Sequence, residues 1–286
     1  KNNKYPEIVN MRTAILILSF SLMGAASRSQ YYYKDQLTTL QTIQQAQQYK
    51  QQKIRKIKLL SFESDNLPSE GFLVEQTFNN QYTQASTVTR SPVTGESELK
   101  TFYNAQGQLV KTADTTDGAS SVTEYVYNSQ GRPVKISNAS TSAGQHISKE
   151  THIWFFDEGV KPKEMLRIKN DTDTTYVQFA LDEQGNVTEE NSRRNGSSLQ
   201  PVYYYYDDQN RLTDIVAYNQ KARRLLPLYV FEYAPSGLLH SMMVVPEGSD
   251  NYQKWIYEYN EQGLKTKETC YNKRKQMLGR IEYKYQ

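Results

Sequence analysis

Along most of the chain apolar and aromatic residues alternate with polar ones at a period of two, the pattern of a half-buried β-strand. The clearest stretches are Glu124-Tyr125-Val126-Tyr127 and Trp255-Ile256-Tyr257-Glu258-Tyr259, each followed by a short polar segment and a glycine. Aligned on that glycine or its substitute, the pattern recurs at Gly107, Gly131, Gly159, Gly185, Asn210, Gly237 and Gly263, a spacing of roughly 26 residues that marks a repeat architecture. Four residues before the anchor stand Tyr103, Tyr127, Leu181, Tyr206, Tyr233 and Tyr259, and six before it Tyr125, Phe179, Tyr204, Phe231 and Tyr257. The segments between strand and anchor, such as Asn-Ser-Gln and Asp-Asp-Gln, predict a turn that ends on a residue with positive φ, a position Asn210 also tolerates. A second strand follows, as in Arg211-Leu212-Thr213-Asp214-Ile215. Each repeat is therefore predicted to be a β-hairpin.

At Gly159 the turn is one residue shorter, with Trp154 and Phe156 in the aromatic places. The chain ends in Arg280-Ile281-Glu282-Tyr283-Lys284-Tyr285-Gln286, the first strand of one more repeat, which would close or cap the sheet. The stretches Lys58-Leu59-Leu60-Ser61-Phe62, Gly71-Phe72-Leu73-Val74 and Thr87-Val88-Thr89 read as degenerate repeats, as terminal repeats commonly are. The expected fold is all-β: an antiparallel meander of about seven to eight Tyr-rich hairpins, curled into an open or barrel-like sheet by strand twist, with one N-terminal helix.

Two copies, Tyr125-Val126-Tyr127-Asn128-Ser129-Gln130-Gly131-Arg132 and Tyr204-Tyr205-Tyr206-Asp207-Asp208-Gln209-Asn210-Arg211-Leu212, carry a resemblance to the YD repeat of the Rhs family, which extends over about residues 99–286. Large members of that family coil many hairpins into a hollow shell, so the resemblance implies a coil or barrel of strands. Only Arg132 and Arg211 supply the family's arginine. The chain also resembles small secreted bacterial proteins of unknown function that carry Tyr-rich hairpins on a barrel-like sheet.

Ahead of the repeats, Met11-Arg12 and the apolar run from Ala14 to Met23, closed by Gly24, Ala25, Ala26 and Ser27, read as a secretory signal, too short to be a membrane span. The expected organisation is an upstream extension and signal over residues 1–29, a Gln-rich helical leader over 30–57 and the hairpin domain over 58–286. Cleavage is expected after Ala26 or Ser29. In the leader, Leu37, Leu40 and Ile43 form a narrow apolar stripe that could lie on the sheet or plug one mouth of a barrel.

Charge narrows the function classes. Without residues 1–29, which hold Lys1, Lys4, Arg12, Arg28 and Glu7, the chain has 30 basic and 30 acidic residues, so no basic excess marks a nucleic-acid binder. The cluster Lys50, Lys53, Arg55, Lys56 and Lys58 reads as a solvated face. Cys270 stands alone and reads as a packed, idle thiol. His146, His152 and His240 share no metal-ligand spacing, and Asn170-Asp171-Thr172-Asp173 lacks the glycine and closing glutamate of a calcium loop. The pairs Asp157-Glu158, Asp182-Glu183 and Asp207-Asp208 fall in turns, where they shape the backbone. No catalytic motif is present, so no catalytic residue, metal site or cofactor is expected, and binding residues stay unassigned.

The aromatic stripe reads as core, since repeats must bury one face, with a stacking platform as the alternative and Tyr203-Tyr204-Tyr205-Tyr206 the repeat likeliest to expose a ring. Polar segments 138–144, 170–174 and 191–198 read as the longest loops. Lys111, Lys135, Glu189, Asp214 and Lys267 share one strand parity, while Thr112, Glu190 and Glu268 share the other, so neither face is a clean lipid band. These features predict a secreted, periplasmic or surface-located, non-enzymatic interaction or structural protein of the bacterial envelope. Its expected partner is an envelope protein or a glycan, reached through loops or an aromatic face, without membrane insertion. An outer-membrane barrel and a glycan-acting enzyme are the alternatives.

Overall fold

The computed structural model describes residues 31–92, 94–116, 118–246 and 251–286, so the region read as a signal lies outside the described residues. Among the described residues nineteen antiparallel strand segments form one sheet, each beside the next in the chain with one exception. The first strand, Lys56–Glu63, also pairs with the last, Met277–Tyr285, placing Leu59 opposite Tyr283. The sheet therefore closes on itself, and its N- and C-terminal strands combine into one hairpin-like repeat. Ser197–Ser198 and Val202–Tyr206 both pair with Val187–Arg194. They are two pieces of one stave, broken where Pro201 has no N–H to give the ladder. That leaves eighteen staves among the described residues. An antiparallel ring needs an even number, and a ring of this size encloses a lumen rather than a core filled by side chains.

The repeat turns line one rim. Gly107, Gly131, Gly185, Asn210, Gly237 and Gly263 all have positive φ, and each N–H bonds the carbonyl three residues back. The register shifts at Tyr103, Tyr127, Leu181, Tyr206, Tyr233 and Tyr259, so the residue four before each anchor sits at a bulge. This is the turn-plus-bulge hairpin that glycine or asparagine at the last turn position selects. At Gly159 a tighter turn appears, with both Glu158 and Gly159 at positive φ. An eighth rim turn, at Asn79-Asn80-Gln81-Tyr82, was not expected, because its left-handed position holds Tyr82 at φ 57; it closes one residue later than the others, the Asn79 N–H bonding the Gln84 carbonyl, and its strands carry no bulge. With the closing pair the ring holds nine hairpins rather than seven or eight.

Two of the expected loops are largely strand: residues 138–142 belong to Pro133–Ser142, and residues 191–194 to Val187–Arg194. Serine, threonine and asparagine on an inner wall read as a loop in one dimension.

Strand parity separates the faces. Lys111, Lys135, Glu189, Asp214 and Lys267 point outward, whereas Thr112, Glu190 and Glu268 share the inner face with the buried Tyr204, Trp255, Tyr257 and Ile281. The aromatic stripe is accordingly core. Tyr205 faces outward, 50% exposed, beside a surface groove of about 490 Å³ shared with Asp182, Thr188, Asp207 and Asp208.

The helix Lys34–Gln51 crosses the rim that carries the turns. At its start Gln36 donates to the Pro133 carbonyl (3.1 Å) and Asp35 meets His152; near its end Gln48 donates to the Gly263 carbonyl (3.1 Å) and Tyr49 packs on Phe78 and Tyr285. These wall positions lie on opposite sides of the ring. Eighteen helical residues span about 27 Å, and the contacts at the two ends carry the helix across that mouth. Of the two placements expected for the leader, the helix takes the second and plugs the barrel.

Candidate functional site

Recurrence of tyrosine four residues before the anchor has a mechanical reason. Tyr127, Tyr206, Tyr233, Tyr259 and Tyr285 each donate from the phenol to a backbone carbonyl of the preceding repeat, at Leu109, Val187, Leu212, Leu239 and Lys265, over 2.6 to 2.9 Å. Every acceptor lies two residues past its own anchor. The phenol thus bolts one hairpin to the one before it and satisfies a carbonyl that the bulge takes out of the ladder. Where Phe156 and Leu181 occupy the position, no hydroxyl exists to make this bond.

The turns are fixed by side chains as well. Asn128 Oδ1 accepts from the N–H groups of Gln130 (3.0 Å) and Arg132 (2.9 Å), and Asp207 Oδ1 accepts from those of Gln209 and Arg211 (both 3.0 Å). The acidic residues Asp182 and Asp207 are thereby committed to turn geometry.

Below the rim, residues 31–35 enter a seat on the inner wall. Glu190, 1% exposed, receives the Tyr32 N–H on both carboxylate oxygens (2.9 Å each), the Tyr33 N–H (2.9 Å) and the Tyr204 hydroxyl (2.8 Å). No side chain of the helix caps its own N-terminus, so Glu190 does so from the wall, and its charge complements the positive end of the helix dipole. Burial pushes the Glu190 carboxyl up to about 7 although these donors favour its charged form.

Beside it runs a chain of charges. His152 Nδ1 meets Asp35 Oδ2 at 2.5 Å and Nε2 meets Glu150 Oε1 at 2.9 Å. Arg167 Nη2 donates to Glu150 Oε2 (2.7 Å) and Nη1 to Asp173 Oδ2 (3.4 Å), while Arg194 holds Asp173 from the other side. Burial opposes a charge on His152, but Asp35 and Glu150 outweigh it and raise the imidazole to about 9. Burial alone would raise Glu150; His152 and Arg167 overcome it and hold the carboxyl near 2. Each carboxylate here meets a fixed cation, so the cluster works as a clasp on Asp35 and the helix start.

A second buried acid, Glu268, accepts from Lys265 (3.1 Å) and from the Tyr283 hydroxyl; burial raises its pKa. Cys270 lies one inner position along the same strand, 1% exposed, its thiol pushed up to about 12 by burial and the neighbouring Glu268. Among the described residues no group of three His, Cys, Asp or Glu could hold a metal ion. Of the three histidines, His152 is the one the structure places in a network. Sequence reading did not single out Glu150, Glu190, Arg167 or Asp35 as a cluster. The available signal was parity: Glu190 and Glu268 fall on the strand face opposite the five outward charges.

Comparison with known proteins agrees with the geometry of the turns. Residues 103–143 match the model of the RHS repeat. The chain carries an RHS repeat. Those residues span two adjacent anchors, Gly107 and Gly131, and the Tyr127–Leu109 bolt between them. No curated protein sequence matches the chain. Among solved structures it is similar to a Photorhabdus luminescens Tc holotoxin pore at 12% identity and TM-score 0.34, covering 78% of this chain but 13% of that one. It is similar as well to porin-like proteins from Bacteroides uniformis (10% identity, TM-score 0.41, covering 82% of this chain and 96% of that one) and Bacteroides vulgatus (12%, 0.28, 82% and 98%). Scores at this level do not establish a shared fold.

Proposed function

We propose that the protein is a secreted, non-enzymatic interaction or structural protein of the bacterial envelope, acting as a water-soluble, self-plugged shell. The observation that carries this reading is the outer wall. Glu98, Lys111, Glu124, Lys135, Glu164, Glu189, Asp214, Glu232, Lys254 and Lys267 all face outward, on ten different strands and at depths from strand end to mid-strand. A membrane barrel needs an apolar band about 25 Å tall, and a lysine in it at mid-bilayer costs about 2–4 kcal/mol. Several outward charges pair with one another instead, as Lys254 does with Glu232 and Lys267 with Glu258, at 2.8 and 2.6 Å. The clasp around His152 and the cap from Glu190 support a structural role, because their polar atoms are spent on the chain's own N-terminal segment. An outer-membrane barrel is the second reading, favoured by the even, closed ring of eighteen staves and its polar lumen.

The test is fractionation of the expressed protein, followed by electrophoresis with and without boiling. Recovery without detergent and identical migration are expected. A need for detergent, with a heat-induced shift, would transfer the outer wall to lipid and replace this reading by the second.

A further inference from the structure

One sector of the inner wall differs from the rest. Across the strands from Gly95–Tyr103 to Gln145–Asp157 the register sets Asp114, Ser121, Ser140 and Ser148 in one row, and Thr112, Thr123 and Asn138 in the row nearer the plug. All seven are only partly buried. They sit on the face that carries Tyr103 and Tyr125 close to the helix, while Lys111, Glu124 and Lys135 point the other way. Asn138 Nδ2 donates to Ser121 Oγ (2.8 Å) and Thr123 Oγ1 (2.9 Å), which orients those two hydroxyls and leaves the asparagine carbonyl oxygen facing Ser140 Oγ at 3.3 Å. A buried wall would not be built of hydroxyls, since each unmet polar group there is costly. This wall faces a lumen, and the rows lie along strands that begin at the plugged rim, so the helix is the floor of a cup.

From this juxtaposition we propose that the hydroxyl- and amide-lined sector of the lumen binds a neutral oligosaccharide. The inference rests on the soluble-shell reading and names the ligand class for it. Sugar hydroxyls both donate and accept, as do serine, threonine and asparagine side chains, so such a wall matches a polyol without requiring charge on either partner. Tyr125, half-buried on the inner face between the rows and the helix, packs against the core there and closes the lower end of the sector. The paired charges of the clasp lie to one side, and among the seven residues of the two rows Asp114 is the one carboxylate, its pKa raised by burial, so the sector has no ring of one sign that would select an ionic ligand.

The experiment is titration calorimetry of the full processed chain with hexasaccharides of glucose, mannose and N-acetylglucosamine, and with a hexasaccharide of galacturonic acid as the charged probe. At least one neutral hexasaccharide should bind, more tightly than the charged one. Ser121→Arg or Ser140→Arg, which push a long side chain into the lumen, should weaken binding at least tenfold, whereas Ser120→Arg and Ser137→Arg, one residue away on the outer face, should leave it within twofold. If an inner variant melts well below the parent, Ser140→Ala with Ser148→Ala replaces it and should weaken binding by about threefold. Absence of binding to all three neutral probes, preference for the charged one, or equal losses from inner and outer variants would each overturn the proposal. Fractionation is read separately: a soluble protein that binds none of the probes sinks the cup and spares the shell, while a detergent-dependent one sinks the shell whatever it binds.

Discussion

The inner wall has two sectors built on one rim. From Val202–Tyr206 round through Gln253–Tyr259 and Met277–Tyr285 to Lys56–Glu63, inward positions hold Tyr204, Trp255, Tyr257, Cys270, Ile281 and Ile57, all buried. Across the strands that carry Asp114, Ser121 and Ser140 the same positions are hydroxyls and stay partly exposed. Both sectors nevertheless share the turn, the bulge and the tyrosine bolt, which appears at Tyr127 in the one and at Tyr206, Tyr233, Tyr259 and Tyr285 in the other. The repeat therefore specifies only how hairpins join at the rim. What lies deeper is free to specify contents: a packed aromatic wall on one side, an open polar wall on the other, and between them, on the strands that hold Glu150, Arg167 and Glu190, a seat for residues 31–35.

The sharpest way to break this contrast is at the clasp. Arg167, whose side chain is 8% exposed, compensates Glu150 and Asp173, so Arg167→Ala should lower unfolding free energy by about 3–5 kcal/mol in urea titration. A loss under about 1 kcal/mol would mean that water already screens the seat.

Next comes pH. His152 is raised from 6.5 to about 9 and Glu190 from 4.5 to about 7, so both bind a proton more tightly in the folded state. The His152 contribution is complete below pH 6.5 and lost as pH rises through about 9, and that of Glu190 is complete below 4.5 and lost through about 7. Glu150, held near 2, acts oppositely, stabilising above 4.5 and losing its effect as pH falls towards 2. Stability should peak on the mildly acid side and fall towards pH 9, by of order 3 kcal/mol for His152. Melting temperature against pH checks this, and His152→Gln should flatten the alkaline limb.

A smaller effect is expected at a rim bolt. Tyr233→Phe removes the bond to the Leu212 carbonyl and should cost about 1 kcal/mol by chemical denaturation. Tyr127→Phe, in the hydroxyl sector, should cost the same if the rim is built alike all round, and the two losses should add. Smallest of all, Ser121→Ala should change stability by no more than about 0.5 kcal/mol, since lumen water can replace the lost hydroxyl.

Much of this was legible because hairpin chemistry is local. An Asn or Asp three residues before a glycine fixes a turn without help from elsewhere, which is why Asn104 to Gly107 and Asn260 to Gly263 are legible in the sequence. Tyr82 escaped because a tyrosine at positive φ carries no such signature and is held there by its surroundings, Phe78 and Arg55 among them. The clasp escaped for another reason. Asp35, Glu150, Arg167 and Glu190 lie on four separate elements, and only the pairing of neighbouring hairpins and the seating of the helix bring them together. Residues 138–142 were misread because a strand whose inner side faces water has no apolar alternation to show.

Closure with an inserted helix is the claim on which everything else depends, and amide hydrogen exchange tests it most directly. In a closed ring the strands Lys56–Glu63 and Met277–Tyr285 have partners on both sides, and the seam is bonded through the pairs Lys58–Lys284 and Leu60–Glu282, so the amides of these four residues should exchange as slowly as those of Tyr204 and Ile215, with the helix protected beside them. Fast exchange confined to these two strands and the helix would describe an open sheet with frayed edges and no plug, and would contradict the account.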